Sequence, residues 1–274
     1  MLACRAMSPV QAMVLGAVQG VTEFLPISSS AHLYIIPTLL GWPYAGLAFD
    51  VALHWGTLLA LIAAFWKEWV ALARSPFSPD PTTRRAGQLM IGKLTLATVP
   101  AAAIGLGLES VAETWLRSLP LQATMLVVFG FLLWWVDRVR PSRAADTSNV
   151  LRLPPWTTCL WVGCAQALAL VPGVSRSGVT LTAGRALGVA RVEAARLAFL
   201  LATPITLGAG LLELRKLSSD VPAATLAIGV ATAAVTGFLA IRGLLRWLGR
   251  AGFGVFFAYR VAVALAIVVF MMRR

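Results

Sequence analysis

Charge is what this chain has least of. Only 12% of its 274 residues are Asp, Glu, Lys or Arg, where a soluble domain carries about 25%. With 59% hydrophobic residues and a mean hydropathy of +0.81, that scarcity excludes an ordinary soluble fold and points to a polytopic membrane protein. Acidic residues are scarcer still, 11 against 23 basic ones, for a net charge of +12. In a soluble protein such an excess suggests nucleic acid. Here no basic cluster alternates with aromatics, and membrane proteins gather Lys and Arg in cytoplasmic loops for topology. A nucleic-acid partner is therefore not expected. Cysteine is nearly absent. Cys4, Cys159 and Cys164 make no C-x-x-C or Cys/His spacing, which excludes that kind of metal site; they read as small buried hydrophobes. A long charged n-region and a small-residue cleavage site are also missing, so no cleaved signal peptide is expected.

Long apolar runs are what the chain does have. A spanning helix needs about 20 apolar residues. Six stretches qualify or nearly qualify: roughly 46–66, 94–109, 119–136, 197–212, 222–241 and 253–271. Two more, 9–40 and 156–190, are interrupted, the first at Pro26 and its serines, the second at Pro172-Gly173. Proline removes a backbone donor and disfavours helix just before itself, so each interrupted stretch reads as two half-helices. Lipid tolerates the irregular backbone between them only where it is buried in protein or lines a wet cavity.

Lys and Arg number five in 67–93, four in 137–155, three in 185–196 and three in 242–250, against one in 109–120 and two in 213–221. Taking the basic segments as cytoplasmic loops, the six crossings alternate consistently. Residues 155 and 196 then fall on one side, so the stretch between them must enter the membrane and return. The first interrupted stretch does the same from outside if the N-terminus is also outside. Trp42, Trp66, Trp69, Trp115, Trp134, Trp135, Trp156 and Trp247 fall near ends of apolar runs, as interfacial anchors do.

The expected fold is all-α: six transmembrane helices plus two re-entrant helical hairpins in an inverted-topology repeat. It forms a single membrane domain over 1–274, with pseudo-repeats of about 1–140 and 150–274. A faint echo supports the halves: Gly16-x-x-Gln19 before Pro26 and Ser29, Gly163-x-x-Gln166 before Pro172 and Ser175. Inverted repeats with broken helices place their sites at the repeat interface near the midplane. The two breaks are therefore expected to meet.

Polar chemistry is concentrated in those breaks. The second reads PGVSRSGVT over 172–180. An arginine at membrane depth is costly and usually functional. Arg176 stands between Ser175 and Ser177 where a half-helix should begin, with free N–H groups and a positive dipole end. Together they make an anion site, and phosphate is the natural anion. The plain alternative is that the serines only cap a helix and Arg176 snorkels. The first break, QGVTEFLPISSSAH over 19–32, is complementary. Gln19 and Glu23 share a helix face at i, i+4; Ser28, Ser29 and Ser30 follow Pro26 and can cap the next half-helix; His32 lies a turn further on. Glu23 can pair with Arg176, hold a divalent metal or act as a base. His32 reads equally well as a hydrogen-bonded core residue, and Ser30 as a cap. Asp50 and His54, also at i, i+4, either flank the site from outside or pair with each other. Arg185, Arg191 and Arg196 with Glu193 read as a solvated cytoplasmic face. Arg260, inside the last apolar stretch, is expected to be paired or functional, with no partner named.

The two segments quoted resemble the signature segments of the undecaprenyl-diphosphate phosphatase family, also called bacitracin-resistance proteins. The resemblance covers the whole chain, including AFDVALHWGTLLA over 48–60. The family motif begins with Glu or Gln ahead of x-x-x-Glu; here it is Gln19 and Glu23, so the first position is an amide. Ala31 stands where the family commonly has glycine. The resemblance implies hydrolysis of a polyprenyl diphosphate to the monophosphate in the bacterial inner membrane, recycling the lipid carrier of cell-wall sugars, with the site opening to the periplasm. The partners implied are the lipid substrate and membrane lipids, with a homodimer as one form of assembly.

On that reading Glu23, Ser29, His32 and Arg176 are the catalytic residues, and Gln19, Ser28, Ser175, Ser177 and Thr180 bind substrate. Mg²⁺ or Ca²⁺ is expected between Glu23 and the diphosphate, since hard oxygen ligands suit it. Two nucleophiles stay open: Ser29 (or Ser28) activated by His32 or Glu23, or a water activated by Glu23. The competing class is a transporter or flippase of a phosphorylated lipid or small anion, because broken helices aimed at an anion also build secondary transporters.

Overall fold

Proline punctuates the chain where its helices begin. Ser8-Pro9 opens α1 (Pro9–Phe24) with a capping box: Gln11 N–H donates to Ser8 Oγ at 3.2 Å and Ser8 N–H to Gln11 Oε1 at 2.9 Å. In this computed structural model the described residues are 7–42, 44, 46–114, 118–141, 149–214 and 221–273. Cys4, Trp115 and Arg274 lie outside them. Among the described residues the chain is helical throughout, without a strand: after α1 come α2 (Ser29–Leu40), α3 (Leu47–Ala64), α4 (Trp66–Arg74), α5 (Pro81–Thr114), α6 (Leu119–Val139), α7 (Trp156–Gln166), α8 (Arg176–Ala186), α9 (Arg191–Leu214), α10 (Ala223–Leu248) and α11 (Gly254–Met272).

Five of these, within α5, α6, α9, α10 and α11, are long and apolar enough to cross a membrane, and six if α3 and α4 count as one span, although α4 bends away from α3 by 70°. Many of their side chains, such as Leu59, Phe131, Leu239 and Leu265, are exposed. In water that would be a large apolar surface; in lipid it is the natural exterior. The protein is a multi-pass membrane protein.

Helix ends depart from the apolar runs. The segment 67–93, expected as a loop, is mostly helix, because α5 begins at Pro81 rather than at 94. Its start is capped by Asp80, whose carboxylate accepts from the N–H groups of Thr82 at 3.1 Å and Thr83 at 3.0 Å. Hydrogen bonds from the Thr82 and Thr83 hydroxyls and amides hold that carboxyl below the usual range. Likewise α9 begins at Arg191 rather than at 197. Apolar runs mark the lipid-embedded part of a helix; polar turns extend it into the headgroups.

The hairpins pack crosswise. α1 lies against α10, where a Cβ on Gly16 would stand 2.4 Å from Gly229 O; α7 lies against α5, where a Cβ on Gly163 would stand 2.0 Å from Ala97 O. Small residues at matching positions let each first half-helix approach a long helix of the other half of the chain. The breaks match as well. Ser28 and Ser175, the residues preceding α2 and α8, both have positive φ, 76° and 73°. That conformation is strained for any residue with a Cβ and is retained chiefly where function or dense packing demands it.

Arg185 is not on a solvated face. It is fully buried, and its Nε donates to Asp137 Oδ1 at 2.8 Å. Arg191 donates to both oxygens of the same carboxylate. The remaining Arg185 nitrogens satisfy the carbonyls of Val189 and Arg140. A count of loop charges does not reveal that Asp137, at the end of α6, turns inward to receive them. Arg196 pairs with Glu68 at 3.3 Å.

Candidate active site

Where the two breaks come together, one carboxylate organises the polar groups. Glu23, in the last turn of α1, has a side chain only 8% exposed. Its Oε1 accepts from Arg176 Nη2. Its Oε2 accepts the Ser29 hydroxyl at 2.5 Å and the Gln19 amide at 3.2 Å, and stands 3.6 Å from His54 Nε2. Arg176, the first residue of α8, sends Nη1 to Thr206 Oγ1 on α9 at 2.8 Å. The Ser177 hydroxyl donates to Leu25 O at 3.1 Å, tying the second hairpin to the turn of the first.

Several of these groups border a cavity of about 250 Å³. Its walls include Glu23, Ser28, Ser29, Ser30, Ser175 and Arg176, together with His54 and Gln166. Since Ser28 and Ser175 directly precede α2 and α8, both half-helices begin at the cavity, and helix starts favour anions there. Ser175 Oγ accepts from Gly178 N–H at 3.2 Å. The arrangement offers an anion a guanidinium, hydroxyls and two helix starts beside a carboxylate that already accepts a serine proton.

Other expected residues stand behind this wall. Gln19 is fully buried and reaches the site through Glu23. Thr180, 1% exposed, donates within its own helix to Arg176 O at 2.8 Å. His32 is 4% exposed: Nδ1 is 2.7 Å from Ser28 O and Nε2 is 2.9 Å from Tyr259 OH, with the two rings stacked. A carbonyl only accepts, so Nδ1 carries the proton and the tyrosine hydroxyl donates to Nε2. Both ring nitrogens are thereby used.

Asp50 and His54 do not pair through their side chains. His54 Nδ1 meets the Asp50 backbone carbonyl at 2.8 Å, while the Asp50 carboxylate accepts from Tyr44 OH at 2.7 Å. Arg260 is fully buried and bonds the carbonyls of Gly173 at 3.1 Å and Val174 at 2.6 Å, bracing the second break. Sequence reasoning missed Thr206 and Tyr259 as neighbours of the site, since nothing in their local pattern separates them from other residues on apolar helices. Gln166 had a signal, its echo of Gln19, but no role.

The donor set does not fit a metal held by the protein alone. Glu23, the expected ligand, has both oxygens engaged. No group of three or more His, Cys, Asp or Glu side chains among the described residues could hold an ion.

Comparison with known proteins places the chain in a family. The family model described as bacitracin resistance protein BacA matches residues 12–266. A protein named undecaprenyl-diphosphatase from Pelotomaculum thermopropionicum is 47% identical over 96% of this chain and 97% of its own length. One of the same name from Gemmatimonas aurantiaca is 48% identical over 94% and 96%, and one from Moorella thermoacetica 46% identical over 98% and 100%. Matches of that extent span both breaks and every helix between them. The chain belongs to the bacitracin resistance protein BacA family.

Proposed function

We infer that the chain is a membrane phosphatase that removes the terminal phosphate of undecaprenyl diphosphate, releasing inorganic phosphate and the lipid monophosphate. The observation that carries this reading is the Glu23 carboxylate shared between the Arg176 guanidinium and the Ser29 hydroxyl. Phosphoryl transfer needs charge neutralisation, an in-line nucleophile and a stabilised leaving group. Arg176 and the starts of α2 and α8 supply the first. Ser29 supplies the second: its proton already points at a carboxylate, and it lines the cavity. In this scheme Ser29 Oγ bonds to the terminal phosphorus as the bond to the bridging oxygen breaks. Water then opens the phosphoserine. Ser28 and Ser175 bind the phosphates directly; Gln19, His32, Ser177 and Thr180 hold the two turns in register. An Mg²⁺ or Ca²⁺ ion is proposed only as a companion of the substrate, carried on the diphosphate oxygens; phosphate release in the presence of EDTA measures that need.

The architecture proposed is six crossings and two re-entrant hairpins in one domain of two inverted halves. The matched glycine contacts and the paired positive-φ serines support it. The cavity is proposed to open to the periplasm across the inner membrane. Its residues His54 on α3 and Ile205 and Ala209 on α9 lie in the halves of those helices farther from the basic segments. Association as a homodimer is likewise proposed, and light scattering in detergent tests it.

The decisive experiment adds polyprenyl diphosphate to purified protein in detergent and measures free phosphate. Release without a second compartment separates a phosphatase from a transporter. Ser29→Ala and Arg176→Ala are each expected to lower the rate by about 100-fold or more. Near-normal turnover by Arg176→Ala would refute the site.

A further inference from the structure

His54, rather than His32, is the imidazole that the cavity presents. We propose that His54 carries the proton in the phosphoryl transfer. The proposal rests on the phosphatase reading above and adds to it the proton's destination.

Geometry separates the two histidines. His32 is 4% exposed, absent from the cavity wall, and committed through both nitrogens to Ser28 O and Tyr259 OH. The His54 side chain is 34% exposed and forms part of the wall. Its Nδ1 sits 2.8 Å from the Asp50 carbonyl, which accepts only, so Nδ1 holds the proton and the Nε2 lone pair is left for chemistry. That Nε2 is 3.6 Å from the same Glu23 oxygen that receives the Ser29 hydroxyl at 2.5 Å. Nucleophile and carboxylate are hydrogen-bonded, and the imidazole stands next in line across a 3.6 Å gap.

Glu23 is a poor final acceptor for the serine proton. Its other oxygen is bound to Arg176, and a proton kept on Glu23 would weaken that charge-assisted pair. An imidazole one step further on can take up a proton in one step and release it in the next. The charged groups facing it are Glu23 from α1, with Arg176 of α8 bound to Glu23's far oxygen, and Asp50 on its own helix with its carboxylate turned to Tyr44. Protonation therefore adds an attraction to Glu23 across the 3.6 Å gap.

The steps balance. As Ser29 Oγ bonds to phosphorus and the bridging bond breaks, the hydroxyl proton passes through Glu23 Oε2 to His54 Nε2. The imidazolium returns that proton to the departing monophosphate. In the second half, water attacks the phosphoserine and gives one proton to His54, which hands it to the leaving serine oxygen. The net reaction consumes one water and releases one phosphate.

The test is kinetic and chemical. Purified His54→Gln, checked by thermal melting, is expected to lose about 100-fold in kcat with little change in KM. It should also lose the acid limb of the wild-type pH–rate profile, which a proton acceptor imposes. Added imidazole should restore part of the rate to His54→Ala. Wild-type kcat and an unchanged acid limb in His54→Gln would overturn the proposal, as would an acid limb lost only in His32→Gln. A second measurement does not depend on a folded variant. The chain has 2 histidines, so diethylpyrocarbonate modification of the wild type can be mapped without ambiguity. Inactivation should follow modification of His54 and be slowed by pyrophosphate; full activity with His54 modified would refute it. Loss of phosphate release in the unmodified wild type would instead refute the phosphatase reading.

Discussion

Gln166 is 3% exposed in the cavity wall, and neither its amide nitrogen nor its amide oxygen has a hydrogen-bond partner. A buried polar atom left so costs about 1–3 kcal/mol, which the fold tolerates where a ligand completes the bonds. A phosphate oxygen is the group that would accept from this amide. Gln166→Leu is therefore expected to raise KM by about tenfold, the worth of one hydrogen bond, while leaving the melting temperature equal or higher. A fall in melting temperature with KM unchanged would make the amide a structural group instead. At this scale the sequence singled out residues that the structure gathers. Glu23 and Arg176 stand out because a charge is costly in lipid, Ser29 because it follows the Pro26 break, and the structure brings the three into one cluster. It was a poor guide to which of two histidines reaches the cavity. His32 sits in the conspicuous motif, yet its helix turns it toward Tyr259 on α11; His54 sits in a plain apolar helix whose packing against α1 delivers it to Glu23. Such a distinction depends on helix rotation, which local spacing does not specify.

Each first half-helix of a hairpin depends on a glycine contact with a long helix. Replacing Gly163 by Val would drive side-chain atoms into Ala97 O, 2.0 Å from the position of the new Cβ. Backbone cannot yield there as a flexible side chain would. Gly163→Val is expected to destabilise the protein by about 1–3 kcal/mol, the usual cost of overpacking, read as a lowered melting temperature in detergent. It should also reduce activity in protein that remains folded, because α7 leads through one short helical turn, Ala167–Leu170, to the break before Ser175. Helix identity was legible in the sequence except for α4, which lies in a segment expected as a loop: apolar runs and prolines located the other elements. Helix ends were not, since Asp80 and the polar first turns of α5 and α9 extend helices beyond what hydropathy can see.

The whole molecule is closed at one end by a charge cluster. Asp137 joins Arg185 and Arg191, and so the end of α6 to the end of α8 and the start of α9. Removing one partner of a buried pair leaves an uncompensated charge and costs about 3–5 kcal/mol. Asp137→Ala is expected to lose about that much stability, measured by denaturation in detergent, with phosphate release by the surviving folded fraction changed far less. Loop charges alone made this cluster read as solvated, because pairing across three helices leaves no mark in any one segment.

The crosswise packing also governs the order in which this protein can be made. The glycine face of α1 finds its cover on α10, residues Ala223–Leu248, and that of α7 on α5. While the ribosome is still working, the first hairpin is in the bilayer without its permanent neighbour, and it waits for nearly the whole chain to emerge. Neither half is self-sufficient, so the gene cut between α6 and α7 should yield activity only when both fragments are made in the same cell.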